Sequence, residues 1–200
     1  MVLDSDILTK EEVFSIIKRL CSVSSSPVGF PETKRNGFQF EGDIQQCLRF
    51  ISWLNSYSYS YSGTDAINVS VDKDVVLHGV CLFGRENTTY TVELDVMDPR
   101  TESICASKTG QFCSELLQRK NYNYYGYRVS FDKKIILKQN KKYDIRAKIS
   151  GPPSPRGARG HSSVLCSEVA FTFVNSKYSN NGTQVNDGQF PEMLFSLCKQ

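Results

Sequence analysis

Few residues in this 200-residue chain have the types and spacing that catalysis or metal binding requires. Histidine occurs only as His78 and His161, and no Gly-x-Ser-x-Gly elbow or similar arrangement fixes a nucleophile beside a base. The cysteines and histidines lack the clustered spacing of zinc ligands, and no glycine-rich loop leads into a helix to hold a phosphate. The sequence therefore predicts a protein that is not an enzyme, with no catalytic residue, no metal site and no cofactor.

The tyrosines are better candidates for a functional surface. Tyr57, Tyr59 and Tyr61 alternate with serines, which places them on one face of an extended segment, and residues 121–127 contain four more. Tyrosine is an amphipathic side chain that loses little entropy on binding, and it is common where proteins recognise partners. The same rings could instead cover the ends of a hydrophobic core, and the sequence leaves both interpretations open.

The charged residues are unevenly distributed along the chain. Residues 119–161 contain 12 of the 24 Lys and Arg residues but only two acids, Asp132 and Asp144. Such a basic segment could attract an acidic partner or a nucleic-acid backbone. We favour the simpler interpretation, in which Lys138, Lys141, Lys142 and Lys148 cover solvent-facing positions and protect a sheet edge.

The elements that must position these residues show the two-residue period of half-buried strands. Residues 70–77 and 130–137 share one strand signature, and each is followed across a polar turn by an alternating run, at 90–96 and 143–149. This pattern predicts an all-β fold, an antiparallel β-sandwich of jelly-roll-like type with about 10 or 11 strands. We expect strands near residues 46–53, 65–71, 75–83, 89–97, 102–107, 126–131, 134–138, 143–150, 164–174 and 191–197. One core should contain Val69, Val71, Tyr90, Val92, Leu94, Tyr143, Ile145 and Ile149.

Recognition in sandwich modules is usually carried by loops at one end, because the framework residues hold the fold. Two long loops stand out, at residues 151–161 and 175–189. The prolines and glycines of the first loop predict that it holds no regular structure. Its Arg156 and Arg159 offer planar donors for carboxylates. Together with Tyr61 and Tyr124, these arginines are candidate partner-binding residues.

The N-terminal residues predict a short helix and a linker. Thr9 and Glu12 fit a capping box, and apolar residues recur at helical spacing over residues 9–21. The following residues are rich in Ser, Pro and Gly. We therefore divide the chain into a helix at residues 1–22, a linker at 23–37 and a sandwich domain at 38–200.

The cysteines indicate a reducing compartment. The chain contains seven cysteines, an odd number, without a Cys-x-x-Cys pair and without the charged and apolar order of a signal peptide. We expect all seven thiols to be reduced, as in cytoplasmic proteins. No apolar run approaches the ~20 residues that a membrane-spanning helix needs. The sequence therefore predicts a cytoplasmic protein that makes no contact with a membrane.

Several motifs extend across most of the chain. The most specific is the closing run Asn181-Gly-Thr-x-Val-x-x-Gly188-Gln-Phe-Pro-Glu192-x-Leu-Phe195. The others are Cys47-Leu-Arg-Phe50, Tyr61-Ser-Gly-Thr-Asp65-Ala-Ile, Val71-Asp-Lys-x-Val-x-x-x-Gly79-x-x-Leu-Phe-Gly84, Phe131-Asp-Lys and Lys142-Tyr-Asp144. Over residues 38–197 these segments resemble the PHR domain, and residues 6–14 resemble the last helix of the BACK region that precedes it in BTB-BACK-PHR proteins. Asn181 and Gln189 match the closing run and join the candidate partner-binding residues.

The resemblance implies a non-catalytic protein-interaction module. BTB-BACK-PHR proteins are substrate adaptors of cullin-based ubiquitin ligases, in which the BTB region docks the cullin and the PHR domain is expected to engage targets. The implied partners are therefore protein targets of a ubiquitin ligase, with a cullin bound only if a BTB region is supplied elsewhere. Two alternatives remain: a glycan-binding or small-ligand-binding sandwich that uses the tyrosines, and a binder of nucleic acid or an acidic partner through residues 119–161.

Overall fold

The alternating segments form strands throughout the part of the chain that the structure describes. The computed structural model describes residues 44–54, 63–119 and 121–198. Among these residues the chain forms fourteen strands and no helix, and the predicted N-terminal helix and linker lie outside them. The strands are β1 (Gln45–Leu48), β2 (Phe50–Leu54), β3 (Thr64–Val71), β4 (Val75–Phe83), β5 (Thr89–Asp98), β6 (Ser103–Cys113), β7 (Glu115–Leu117), β8 (Tyr124–Leu137), β9 (Tyr143–Ser150), β10 (Arg156–Gly160), β11 (Ser163–Cys166), β12 (Val169–Asn175), β13 (Asp187–Gly188) and β14 (Glu192–Leu197).

Two antiparallel sheets form the sandwich. The six-stranded sheet has the order β11-β12-β3-β9-β5-β6, and the five-stranded sheet has the order β1-β14-β4-β8-β7. The second halves of the two copies of the repeated signature are neighbours in the five-stranded sheet, where Val75, Val76 and Leu77 pair with Leu137, Ile136 and Ile135. The runs that follow them pair as β5 and β9 in the other sheet. The prediction of an all-β antiparallel sandwich is confirmed.

The main core lies between these two sheets. All eight residues predicted to share one core belong to it, and each is at most 3% exposed: Val69, Val71, Tyr90, Val92, Leu94, Tyr143, Ile145 and Ile149. Because side chains alternate along a strand, the polar residues between them face the outside of the six-stranded sheet. The predicted strand register is therefore confirmed.

A second, smaller core lies on the other face of the five-stranded sheet. Along β4, Val80 and Leu82 face the main core, whereas Cys81 and Phe83 join a cluster with Phe50, Leu117, Tyr124 and Leu194. Phe50 comes from β2, which belongs to a third sheet with the order β13-β10-β2. The third sheet thus covers part of the five-stranded sheet and positions the candidate site described below.

The prediction that residues 151–161 hold no regular structure is wrong. Residues Arg156–Gly160 form β10, which pairs with both β2 and β13. Glycine counts as evidence against a strand, but Gly157 is required for this one. A Cβ on Gly157 would lie 2.1 Å from the Phe50 ring, so a larger residue would not fit. Close approach of a backbone to a ring is a positional role of strand glycine.

Four other strand boundaries differ from the prediction. The segment 46–53 is divided at Arg49 between two sheets, and 164–174 is a hairpin whose turn residues Ser167 and Glu168 both have positive φ, at 47° and 67°. The predicted strands 126–131 and 134–138 are one strand, β8, whose register against β4 shifts between Leu77 and Gly79. The strand predicted at 102–107 continues to Cys113, and the short β7 follows it.

Among the described residues, no helix is long and apolar enough to cross a membrane. The six cysteines in this part of the chain are free thiols, of which Cys47 and Cys81 are buried while Cys105 and Cys113 are exposed. Burial of Cys81 next to the Glu192 carboxylate raises the pKa of this thiol to about 12.

Candidate partner-binding site

An open cleft of about 560 Å³ lies where the third sheet meets the five-stranded sheet. Four segments that are distant in sequence form it, and we call it the Trp53 cleft. Trp53 comes from β2, a turn between β4 and β5 forms a second wall, the start of β8 contributes two tyrosines, and a proline precedes β10. The lining residues are Trp53, Gly84, Arg85, Glu86, Thr88, Tyr124, Tyr125 and Pro155.

A tightly packed aromatic cluster lies beneath the Trp53 cleft. Tyr124 meets Phe83 edge-on with ring centroids 4.9 Å apart, and Phe83 lies 6.1 Å from the Phe50 ring. All three rings are at most 2% exposed. Side chains packed in this way keep their rotamers, so they give rigid support to Trp53 and Tyr125, the two lining rings that are partly exposed.

The walls of the cleft are held by specific hydrogen bonds. The indole Nε1–H of Trp53 donates to the Asn123 carbonyl at 2.9 Å, which fixes a half-buried ring over the start of β8. A hydrogen bond to the Glu86 carboxylate raises the pKa of the Tyr125 phenol. Arg85 and Glu86 are exposed at the rim, so the cleft combines an aromatic interior with one charge of each sign at its edge.

A buried ion pair supports the cleft through its contact with Tyr124, one of the lining residues. Glu192 is 0% exposed and accepts hydrogen bonds from Nε and Nη2 of Arg119, whose own side chain is 7% exposed. The Tyr124 hydroxyl donates to the same carboxylate at 2.6 Å, and the Cys81 thiol lies 3.5 Å from it. Burial and the nearby negative charges raise the pKa of Tyr124 strongly, so this hydroxyl remains a hydrogen-bond donor. The network therefore holds Tyr124 and the segment after β7 in one arrangement.

A second buried cation organises the segment that leads into β14. Nη1 of Arg49 donates to the carbonyls of Gln184 at 2.7 Å and Val185 at 3.0 Å. Its Nε donates to Phe190 and its Nη2 to Gln189. Because one fully buried guanidinium satisfies four main-chain carbonyls, residues 184–190 are tied to the point where β1 passes into β2.

Comparison with known protein families identifies the fold. The family model of the PHR domain matches residues 48–196, which include both sheets of the sandwich almost completely. The chain belongs to the PHR domain family. The predicted resemblance to the PHR domain is therefore confirmed, and the resemblance of residues 6–14 to the BACK region stays a prediction.

This PHR domain is similar to domains of much larger proteins. It is 33% identical over 162 residues to the E3 ubiquitin-protein ligase MYCBP2 of Danio rerio, covering 78% of this chain and 3% of that protein. It is 32% identical over 196 residues to the human BTB/POZ domain-containing protein 6, covering 96% of this chain and 34% of the relative. The E3 ubiquitin-protein ligase highwire of Drosophila melanogaster is 30% identical over 181 residues, with 84% and 3% covered. The chain thus spans about a third or less of the length of these relatives.

Two of the six predicted partner-binding residues are interior in this PHR domain. Tyr124 is 1% exposed and belongs to the aromatic cluster beneath the Trp53 cleft. Gln189 is 0% exposed, its Oε1 accepts from the Phe83 N–H at 2.9 Å, and its Nε2 donates to Ser154 Oγ at 2.8 Å. Neither side chain is accessible to a partner, so each can influence binding only through the residues that it holds in place.

The other four differ in accessibility. Arg159 is exposed and donates through Nε to Ser52 Oγ at 3.2 Å, while the half-buried Arg156 pairs with Asp187 at 3.1 Å. Asn181 donates to the Asp65 carboxylate at 2.9 Å, and Tyr61 lies outside the described residues. Both arginines therefore lie on β10 of the third sheet and neither lines the cleft, whereas Asn181 is anchored at the start of β3.

Sequence reasoning did not select Trp53, Arg85, Glu86 or Pro155 as site residues. One signal was available, because Trp53 is the single tryptophan of the chain and tryptophan is enriched at binding hot spots. Arg85 and Glu86 of the β4–β5 turn carried no such signal in the sequence, because their position beside Trp53 depends on how the third sheet packs. The buried ion pair of Arg119 and Glu192 could not be predicted from the sequence either, because the two residues are 73 positions apart.

Proposed function

We propose that this PHR domain is a non-catalytic protein-interaction module that binds a ubiquitin-ligase target through the Trp53 cleft. The observation that carries the proposal is the combination of the half-buried Trp53, the packed aromatic cluster that supports it and a charged rim. Hot spots of protein interfaces have this composition, with an aromatic anchor in a packed pocket surrounded by polar residues. A partner segment with an apolar or aromatic side chain between charged residues would fit it.

The exposed residues near the cleft would form the outer part of the interface. Arg159 lies on β10, four residues after Pro155, and can pair with a carboxylate of the target, and Arg156, which directly follows Pro155, can do so if its pairing with Asp187 is shared. Tyr61 and Asn181 remain candidate contacts as well. The names of the relatives support the target class, since two are E3 ubiquitin-protein ligases and a third is a BTB/POZ protein.

We further propose that the module acts in the cytoplasm. We also propose that it binds a cullin only through a BTB region that is supplied elsewhere. A fusion of the BTB region of human BTB/POZ domain-containing protein 6 to the 200-residue chain should then co-purify with a cullin. The chain without that region should not. Cullin binding by the chain alone would contradict this division of roles, whether or not the Trp53 cleft binds a target.

The basic segment gives little support to the nucleic-acid alternative. Five of its cations are paired with carboxylates elsewhere in the chain: Arg119 with Glu192, Lys138 with Asp74, Lys141 with Asp98, Arg146 with Asp95 and Arg156 with Asp187. These pairs balance much of the local positive charge, so the surface carries less of it than residues 119–161 alone suggest. A weak affinity for nucleic acid and a shallow salt dependence are expected.

Trp53 provides a direct test of the proposed site. Because Trp53 is the single tryptophan, its fluorescence reports binding at the cleft without a label. A target obtained by affinity capture and then purified should shift this emission, and Trp53→Ala should weaken its binding by at least about tenfold, equivalent to a hot-spot loss. Thr172→Ala, on the exposed outer face of β12, serves as the control and should bind like the parent. Equal binding by Trp53→Ala, with folding intact, would place the target site elsewhere.

A further inference from the structure

Main-chain groups in the wall of the Trp53 cleft are already hydrogen-bonded within the domain. The N–H of Gly84 donates to the carbonyl of Tyr125 at 2.9 Å, which ties the β4–β5 turn to β8. The N–H of Arg85 donates to the hydroxyl of the buried Tyr90, also at 2.9 Å. A partner that lies against this wall therefore finds these two amide donors occupied and the Tyr125 carbonyl already accepting.

The polar atoms of the lining side chains are used as well. The indole N–H of Trp53 donates to a main-chain carbonyl, and the hydroxyl of the buried Tyr124 donates to the Glu192 carboxylate. The phenol of Tyr125 is hydrogen-bonded to Glu86. The two partly exposed rings, those of Trp53 and Tyr125, therefore offer a partner apolar contact rather than free hydrogen-bonding groups.

Such a surface disfavours partners that bring main-chain amides into it. An N–H that leaves water without gaining an acceptor costs free energy, so an ordinary strand or turn would bind poorly. Proline has no N–H, and a polyproline II segment has no internal hydrogen bonds to maintain. Aromatic-lined grooves are the surfaces on which proline-rich segments dock. Proline is therefore the residue that loses least on entering the cleft.

The rim of the cleft adds a preference for charge. Arg85 is exposed and has no ion-pair partner among the residues that the structure describes, whereas Glu86 is already hydrogen-bonded to Tyr125. A guanidinium binds a carboxylate through two parallel N–H donors. An acidic residue beside the prolines would therefore be complementary to Arg85.

We propose that the occupant of the Trp53 cleft is a proline-containing segment in the polyproline II conformation, flanked by an acidic residue that pairs with Arg85. This inference rests on the proposed function, because it names the class of partner for the same cleft. The prolines would pack on the rings of Trp53 and Tyr125, and the domain would supply no new main-chain hydrogen bond.

A defined peptide tests the inference. The probe is a fluorescein-labelled oligoproline with an aspartate at each end, and its anisotropy is followed as the 200-residue chain is added to about 1 mM. The chain should bind it at least about tenfold more tightly than a peptide with alanine in place of proline. A peptide of N-methylalanine, which also lacks the N–H, should bind more tightly than the alanine peptide. No binding of the oligoproline, or equal affinity for the alanine peptide and either of the others, would overturn the inference.

Variants of the chain locate the bound peptide. Trp53→Ala should weaken oligoproline binding at least about tenfold. Arg85→Gln should weaken it about two- to fivefold, and this loss should vanish when asparagine replaces the aspartates of the peptide. Lys148→Gln, at an exposed position on the outer face of the six-stranded sheet, is the charge-matched control and should bind like the parent. Binding that is unaffected by Trp53→Ala or by Arg85→Gln would overturn the inference.

A purified target separates failure of this inference from failure of the proposed function. A target that depends on Trp53, but keeps its affinity when the prolines of its binding segment are changed to alanine, would overturn the inference and leave the proposed function intact. A target unaffected by Trp53→Ala would contradict the proposed function itself, whatever the affinity of the oligoproline.

Discussion

Glu192 is a carboxylate without solvent exposure whose three partners come from separate parts of the chain. Arg119 follows β7, Tyr124 begins β8 and Cys81 lies in β4. A buried pair of this kind contributes little net stability when complete, but removing one member leaves the other charge without compensation. Its role in this domain is to determine the arrangement of the Trp53 cleft.

We expect Glu192→Gln to lower the free energy of unfolding by about 3–5 kcal/mol, because Arg119 would remain buried and charged. Urea unfolding provides the measurement. The exposed Glu93→Gln is the matched control, with an expected change within about 0.5 kcal/mol. The double variant Arg119→Met with Glu192→Leu should recover most of the loss. If Glu192→Gln is as stable as the control, the ion pair does not form.

Neighbouring residues on β5 test the strand register. Leu94 is 0% exposed, so Leu94→Ala should cost about 2–5 kcal/mol through lost burial and the cavity that remains. Glu93→Ala changes only an exposed side chain and should cost less than about 0.5 kcal/mol. Equal costs in chemical denaturation would show that the register of β5 is wrong.

At the scale of an element, β10 exists because its glycines allow close contact with Phe50. Gly157→Ala should destabilise the domain by about 1–3 kcal/mol, since the new Cβ would overlap the Phe50 ring. Thermal unfolding measures the effect. The neighbouring Ala158→Ser, whose side chain is partly exposed, is the control and should change stability little.

A second substitution tests whether the cost of Gly157→Ala comes from overlap with the Phe50 ring or from another effect of a side chain at this position. Phe50→Leu removes the ring, so it should reduce the additional cost of Gly157→Ala. The coupling between two residues in contact is measured by comparing both single variants with the double variant. Additive costs would mean that Gly157 is required for another reason.

At the scale of the whole molecule, the buried thiols predict how stability depends on alkaline pH. The Cys81 pKa is about 12 in the folded domain, compared with 9.0 for an unperturbed thiol. The folded state therefore keeps this proton above pH 9, where the unfolded chain loses it. Its contribution to stability is complete below pH 9 and is lost as the pH rises toward 12.

We expect Cys81 to account for a loss of about 1.4 kcal/mol between pH 8 and pH 10, equal to the free energy of one pKa unit. Cys81→Ala should show a correspondingly smaller fall in unfolding free energy over this range. The exposed Cys105→Ala is the control and should show the same fall as the parent. If Cys81→Ala loses as much stability as the parent, Cys81 is not the group responsible.

The limits of sequence reasoning are clear from β10 and from the hairpin of β11 and β12. Proline and glycine in residues 151–161 indicated a loop, because local propensity carries no information about tertiary contacts. It therefore could not show that the Phe50 ring packs against the backbone of Gly157, where no side chain fits. Ser167 and Glu168 occupy positive-φ turn positions that sequence rules assign to Asn and Gly, so the hairpin was missed. In both places, packing outweighed the intrinsic preference of the residues.

The sequence alone determined that this protein is an antiparallel sandwich, which residues face its main core and that it resembles the PHR domain. These properties depend on alternation along a strand and on contiguous motifs, which are local and can be read in order. Only the tertiary structure decided where the Trp53 cleft lies and which side chains support it. The physical reason is that β2, the β4–β5 turn, β8 and β10 come together only when the third sheet covers the second core. The ion pair of Arg119 and Glu192 likewise forms only when β7 and β14, which are distant in sequence, join the same sheet.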